Sequence, residues 1–125
     1  MDEIDTYAKL IKENIEYESL KQDLGFRYEI LDELVEIMVD TVAIKRNTVR
    51  IGETEYPYKL VKGKLLKLDS GHIRYVLESM EKTTSHIVNI KAYLLTALYN
   101  APNTINNYYS AEVNYYEYGK GRYGA

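Results

Sequence analysis

Few side chains in this sequence have both the type and the spacing that chemistry needs. There are two histidines, His72 and His86, and no cysteine. The lack of cysteine rules out a thiolate nucleophile, a Cys-based zinc site and a disulfide framework within the chain. His72 falls in the first turn of an expected helix and His86 in a loop or cap, places where a lone histidine is more often structural than catalytic. Asp32, Glu33, Glu36 and Asp40 put four carboxylates on one helical segment. Asp32, Glu36 and Asp40, spaced i, i+4 and i+8, can share a face. Such a face could serve a metal or acid–base pair, but no histidine follows at Glu-x-x-His spacing. Its expected role is a solvated face.

Fourteen tyrosines, against one Phe and no Trp, raise the idea of a tyrosine nucleophile that cleaves DNA. The His-x-x-Arg element of tyrosine recombinases is missing, since His72-Ile73-Arg74 has one residue too few between its ends. The His-apolar-His metal element of rolling-circle enzymes is missing too. Val61-Lys62-Gly63-Lys64 lacks the glycine spacing and the hydroxyl of a phosphate-binding loop. The terminal Gly119-Lys-Gly121-Arg-Tyr-Gly124 follows no strand and opens no helix. No catalytic residue, cofactor or metal is expected, and no small-molecule ligand.

Charge is the stronger signal. The net charge of −3 hides an asymmetry. Residues 1–40 carry 12 acidic and 4 basic side chains, a balance of −8. Residues 41–125 carry 7 acidic and 12 basic, a balance of +5. Most of the positive charge falls between 45 and 67, in Lys45, Arg46, Arg50, Lys59, Lys62, Lys64 and Lys67. Such a run is either a solvated face or a patch for an acidic partner or phosphate backbone. Tyr93, Tyr99, Tyr108 and Tyr109 are the candidate aromatic contacts.

These groups must be positioned by helices. The most convincing one runs over 87–101, where Ile87, Ile90, Leu94, Ala97, Leu98 and Ala101 share a face. Tyr93, Leu95 and Tyr99 widen that face, which implies several packed neighbours. Ser85 or Asn89 can cap its start, and Asn100 before Pro102 is expected to end it. A second strong helix spans 27–44, with Ile30, Leu31, Leu34, Ile37, Met38 and Thr41/Val42 as its stripe. A first helix at 5–14 carries Tyr7, Ala8, Ile11 and Ile15, with Asp5 as its expected cap. Ile15, Tyr17 and Leu20 form a short packed segment, and Gly25 marks a break. Thr48–Tyr56 reads as a hairpin turning at Gly52-Glu53, and glycine first suits a type II′ turn. Pro57 suits the first turn of a helix at about 58–67, and Asp69-Ser70 cap another at about 70–82.

The expected fold is therefore mainly α: about five helices, a hairpin at 48–56 and a Tyr-rich C-terminal tail. Residues 1–102 make the helical domain. Residues 103–125 make an extended tail in which Ile105, Tyr108 and Tyr109 fold back and only the end is loose. The expected core is Leu31, Leu34, Met38, Ile73, Val76, Leu77, Ile90, Leu94 and Leu98. No run approaches the length of a membrane span, and Met-Asp-Glu-Ile-Asp is the wrong charge for a signal peptide. A cytoplasmic location is expected.

Several segments, taken in order, resemble a known family. They are Ile11–Tyr17 (IKENIEY), Val49–Pro57 (VRIGETEYP), Val61–Leu68 (VKGKLLKL), His72–Leu77 (HIRYVL) and above all Tyr93–Val113 (YLLTALYNAPNTINNYYSAEV). Together they resemble the C-terminal domain of RepA-type replication initiators of plasmids and integrative elements in Gram-positive bacteria. In that family a separate N-terminal winged helix binds the origin, so this chain is expected to be an excised C-terminal domain or a truncated relative. More distantly, it resembles the helical domains of DnaD-type primosome proteins. There, Tyr93, Leu94, Leu95, Leu98 and Tyr99 echo a Tyr-x-x-x-Ile-Leu-x-x-Trp-like pattern, with different spacing and no Trp. The resemblance implies a non-catalytic domain in replication initiation, joining an origin-bound initiator to itself or to a host replication protein. Sequence-independent DNA binding through 45–67 and the tyrosine-rich tail is the alternative, and a purely structural scaffold is the third.

Overall fold

The computed structural model describes residues 2–25, 28–82 and 87–114, with side chains described as far as 105. The described residues are mainly helical, with one two-stranded antiparallel sheet. Among the described residues there are six helices: α1 (Glu3–Asn14), α2 (Tyr17–Leu24), α3 (Tyr28–Ala43), α4 (Tyr58–Leu65), α5 (Ser70–Lys82) and α6 (Ile90–Asn114). The strands β1 (Thr48–Ile51) and β2 (Thr54–Pro57) lie between α3 and α4.

The helix beyond the expected five is α2. Glu16 separates it from α1 by adopting a left-handed backbone, φ 56 and ψ 55. That geometry disfavours an L-residue with a Cβ, and sequence alone gave no sign of it. Tyr17 and Leu20 are the buried residues of α2, so the short packed segment is a helix in its own right.

α1 begins two residues earlier than expected. Asp2, not Asp5, is its cap, and the Asp2 carboxylate accepts the Asp5 amide at 2.9 Å. Asp5 then sits in the first turn, where a negative charge suits the helix dipole.

α3 is the central helix, packing against α1, α2, α4 and α6. Leu31, Leu34, Val35, Ile37, Met38, Val39, Thr41 and Val42 are all buried. The buried hydroxyl of Thr41 donates to the Ile37 carbonyl at 2.8 Å, so it leaves no unpaired polar atom. Glu29, Asp32, Glu36 and Asp40 remain exposed.

The hairpin pairs Thr48 with Pro57 and Ile51 with Thr54. Gly52 has φ +64, and Glu53 is not among the positive-φ residues. One positive φ at the first turn position is the type II′ pattern. Val49 and Ile51 are buried, while Thr48 and Arg50 face outward, the alternation of a half-buried strand. Pro57 closes β2 instead of opening the next helix, and α4 starts at Tyr58. The Tyr58 amide donates to the Asn47 carbonyl at 3.0 Å, tying the start of α4 to the loop after α3.

At α5, Asp69 and His72 cap reciprocally. The Asp69 carboxylate accepts the His72 amide, and His72 Nδ1 accepts the Asp69 amide, each at 3.1 Å. This is the geometry of a capping box with histidine in the third position.

α6 departs furthest from expectation. Asn89 caps it, its side chain accepting the Ala92 amide at 3.1 Å. The helix then continues through Pro102 to Asn114 instead of ending at Asn100. Proline removes one intrahelical bond and crowds the carbonyl four residues back. Packing of α6 along α5 offsets that cost, and Leu98 and Ala101, just before the proline, are buried. Ile105 lies within this helix, half-buried, and lines a cavity with Gly71, Arg74 and Tyr75 of α5. The Tyr108 and Tyr109 side chains and residues 115–125 lie outside the described residues.

Eight of the nine expected core residues are buried, and the ninth, Ile90, is half-buried against them. Ile11, Ile15, Leu20, Val42, Val61, Leu65 and Leu68 complete the centre of the core. No described helix is long and apolar enough to cross a membrane.

Candidate docking surface

The seven basic residues of 45–67 do not form one patch. Arg46 turns back on α3, its guanidinium donating to the Ile44 carbonyl at 3.3 Å and the Asp40 carbonyl at 3.5 Å. These are end carbonyls that helix geometry leaves unpaired, so Arg46 serves as a cap. Lys62 reaches over the Tyr7 ring at 4.9 Å and the Tyr58 ring at 5.9 Å. The adjoining Tyr7 hydroxyl raises the Lys62 pKa from its ordinary value by hydrogen bonding. Lys64 sits 4.4 Å over the Tyr99 ring. A cation over an aromatic face is attracted by the ring quadrupole, so both lysines are engaged within the chain.

Arg50 projects from β1 into a groove of about 380 Å³ between α3, β1 and the start of α6. Glu33, Glu36 and Asp40 line the α3 side, and Lys91 of α6 joins Arg50. Ile37, Ala92 and Leu95 are its apolar lining, beside Thr41 and Asn89. The sequence placed Glu36 and Asp40 on one face, but it could not bring Arg50 and Lys91 to them.

That leaves Lys45, Lys59 and Lys67. All three are exposed, and none has an acidic partner among the described residues, whereas Arg74 is paired with Asp23. Lys59, Leu60, Gly63 and Lys67 follow one another at one, three and four residues, which keeps them on one side of α4 and its C-terminal turn. Leu60 is 45% exposed, and Ile44 in the loop tied to the α4 start is 50% exposed. A Cβ on Gly63 would meet nothing within 4 Å, so among the described residues nothing covers α4 at this point. The result is an exposed Leu60 on the same side as Lys59 and Lys67, which are unpaired among the described residues. In sequence Leu60 is indistinguishable from the buried aliphatics of the same helix, Val61 and Leu65.

The aromatic candidates also separate. Tyr99 is buried, with its ring centroid 5.0 Å from that of Tyr56, so it belongs to the core and cannot stack on a base. Tyr93 lines a furrow between α5 and α6 with Tyr75, Thr96 and Ala97.

Elsewhere the polar side chains hold the helices together. The Tyr17 hydroxyl donates to the Asp32 carboxylate, joining α2 to α3. That bond, followed by burial and the carboxylate charge, pushes the Tyr17 pKa up to about 12. Ser70 donates to Glu16 at 2.9 Å, and Arg74 pairs with Asp23, joining α5 to α2. Asn14 donates to the Leu66 carbonyl at 3.0 Å, joining α1 to the end of α4. Among the described residues no group of three or more His, Cys, Asp or Glu side chains could hold a metal ion.

A mainly helical domain with a small hairpin and an uncovered basic-aliphatic helix face is the class of molecule described so far. The chain belongs to a family of unknown function, DUF6017, whose profile matches residues 1–118. No curated protein and no solved structure matches it.

Proposed function

We propose that this chain is a non-catalytic interaction domain of a plasmid or mobile-element replication initiator. In this reading it joins an origin-bound initiator to itself or to a host replication protein, in the cytoplasm and without a cofactor. The observation that carries the reading is the outer side of α4, where exposed Leu60 stands between unpaired Lys59 and Lys67. Protein interfaces combine an apolar centre with a polar rim, and this face has that composition. The sequence resemblance to RepA-type initiators supplies the process. His72 supports the non-catalytic part, because its ring and backbone are committed to capping α5.

Sequence-independent DNA binding is the second reading, favoured by the exposure of Lys45, Lys59 and Lys67. Exposed Leu60 on the side of Lys59 and Lys67 favours a protein partner over phosphate backbone. Salt separates the two readings. Binding to DNA weakens steeply and log-linearly with salt, whereas a contact resting on Leu60 retains part of its strength.

The test is replication of an element whose initiator carries this domain with Lys59→Glu and Lys67→Glu together. Loss of replication with folding and origin binding intact supports the reading. Normal replication would reduce the patch to a solvated face.

A further inference from the structure

Two surfaces of this chain are complementary in both charge and polarity. The first is the α4 face, with Leu60 between Lys59 and Lys67, and Ile44 and Lys45 in the loop bound to the α4 start. The second is the groove of about 380 Å³ beside α3, with Ile37, Ala92 and Leu95 as its apolar lining. Its three carboxylates, from Glu33, Glu36 and Asp40, outnumber its two cations, Arg50 and Lys91. Exposed Glu29 and Asp32 continue the acidic side along α3. A groove with an apolar lining and an acidic edge fits an aliphatic side chain flanked by lysines.

We propose that the α4 face of one copy docks in the α3–α6 groove of a second copy, with Leu60 on the apolar lining and Lys59 and Lys67 against Glu36 and Asp40. This rests on the reading above that the α4 face is a protein-docking surface, and it names the partner. The occupant is a second copy because each chain carries both halves of the contact: residues 1–40 balance at −8 and residues 41–125 at +5. The contact joins two different patches, so it is heterologous and can continue from copy to copy. One short helix face in one groove makes a small interface, and small interfaces are weak. Such a contact gains strength where copies are held close together, as effective concentration replaces bulk concentration.

Sedimentation velocity on the chain tests this with two variants, one with Lys59→Glu and Lys67→Glu, the other with Glu36→Lys and Asp40→Lys. All four positions are exposed, and exposed substitutions usually leave stability nearly unchanged. The wild type is expected to associate above its 14.6 kDa monomer mass as concentration rises, and to associate more weakly, but not to lose the Leu60 contact altogether, as salt screens the exposed charges. Each variant alone is expected to stay monomeric, because its altered patch repels its unaltered one. An equimolar mixture of the two is expected to associate again, since each then offers the charge the other lacks. Recovery in the mixture also shows that both variants are folded. A wild type that remains monomeric at low salt overturns the proposal, as do variants that associate as the wild type does. If the mixture stays monomeric while the Lys59/Lys67 variant still abolishes replication, the α4 face serves a different partner. In that case this inference falls and the functional reading stands.

Discussion

Tyr17 is the residue whose setting makes the sharpest prediction. Its pKa is raised to about 12, mainly by its bond to Asp32. Between pH about 10 and about 12 the unfolded chain releases this proton while the folded chain keeps it. The raised value therefore adds stability that is complete below the unfolded pKa and is lost as pH rises through the folded one. Tyr17→Phe is expected to remove that part of the alkaline loss. Denaturant titrations on both proteins across this range check it, and identical pH dependence would show that the Asp32 bond does not persist in solution. Gly52 offers a second test at this scale. Its φ of +64 suits glycine, and no atom lies within 4 Å of an added Cβ. Gly52→Ala is therefore expected to cost about 1–2 kcal/mol from backbone conformation alone, as read from denaturant midpoints. Capping of α6 was legible as far as a choice between Ser85 and Asn89, and the Ala92 amide bonds to Asn89. The left-handed Glu16 was not, because nothing in its neighbourhood in sequence requires it. Its carboxylate is instead held by Ser70, 54 residues away.

At the scale of elements, α6 is the central test. Leu94 is fully buried, and Leu94→Ala is expected to cost about 2–5 kcal/mol. A loss below about 1 kcal/mol would show that α6 is not part of the core. Pro102 lies inside that same helix. Proline in a helix interior costs up to about 3 kcal/mol relative to alanine, so Pro102→Ala is expected to raise the thermal midpoint. A fall would mean that the chain leaves the helix at this point. Periodicity marked α1, α3, α4, α5 and the first half of α6, because each buries one stripe at helical spacing. It missed the continuation of α6, since a local proline rule was applied where packing against α5 decides. It missed α2 because eight residues with two buried side chains carry little periodic signal. The hairpin was legible to its turn type, because Gly52-Glu53 between alternating residues admits few geometries.

For the whole molecule, the charge asymmetry visible in the sequence did not reveal how the charges would be divided. The run from 45 to 67 reads as one basic patch. Folding assigns Arg46 to a cap, Lys62 and Lys64 to tyrosine faces, and Arg50 to an acidic groove. Three lysines are left uncovered, and Lys59 and Lys67 share an outward side with Leu60. The measurement that tests the central claim most directly is maintenance of an element whose initiator carries this chain with Lys59→Glu and Lys67→Glu. Thermal unfolding and origin binding are followed in parallel. The account predicts a folded, origin-binding initiator that no longer maintains its element. Maintenance equal to that of the wild type would contradict it.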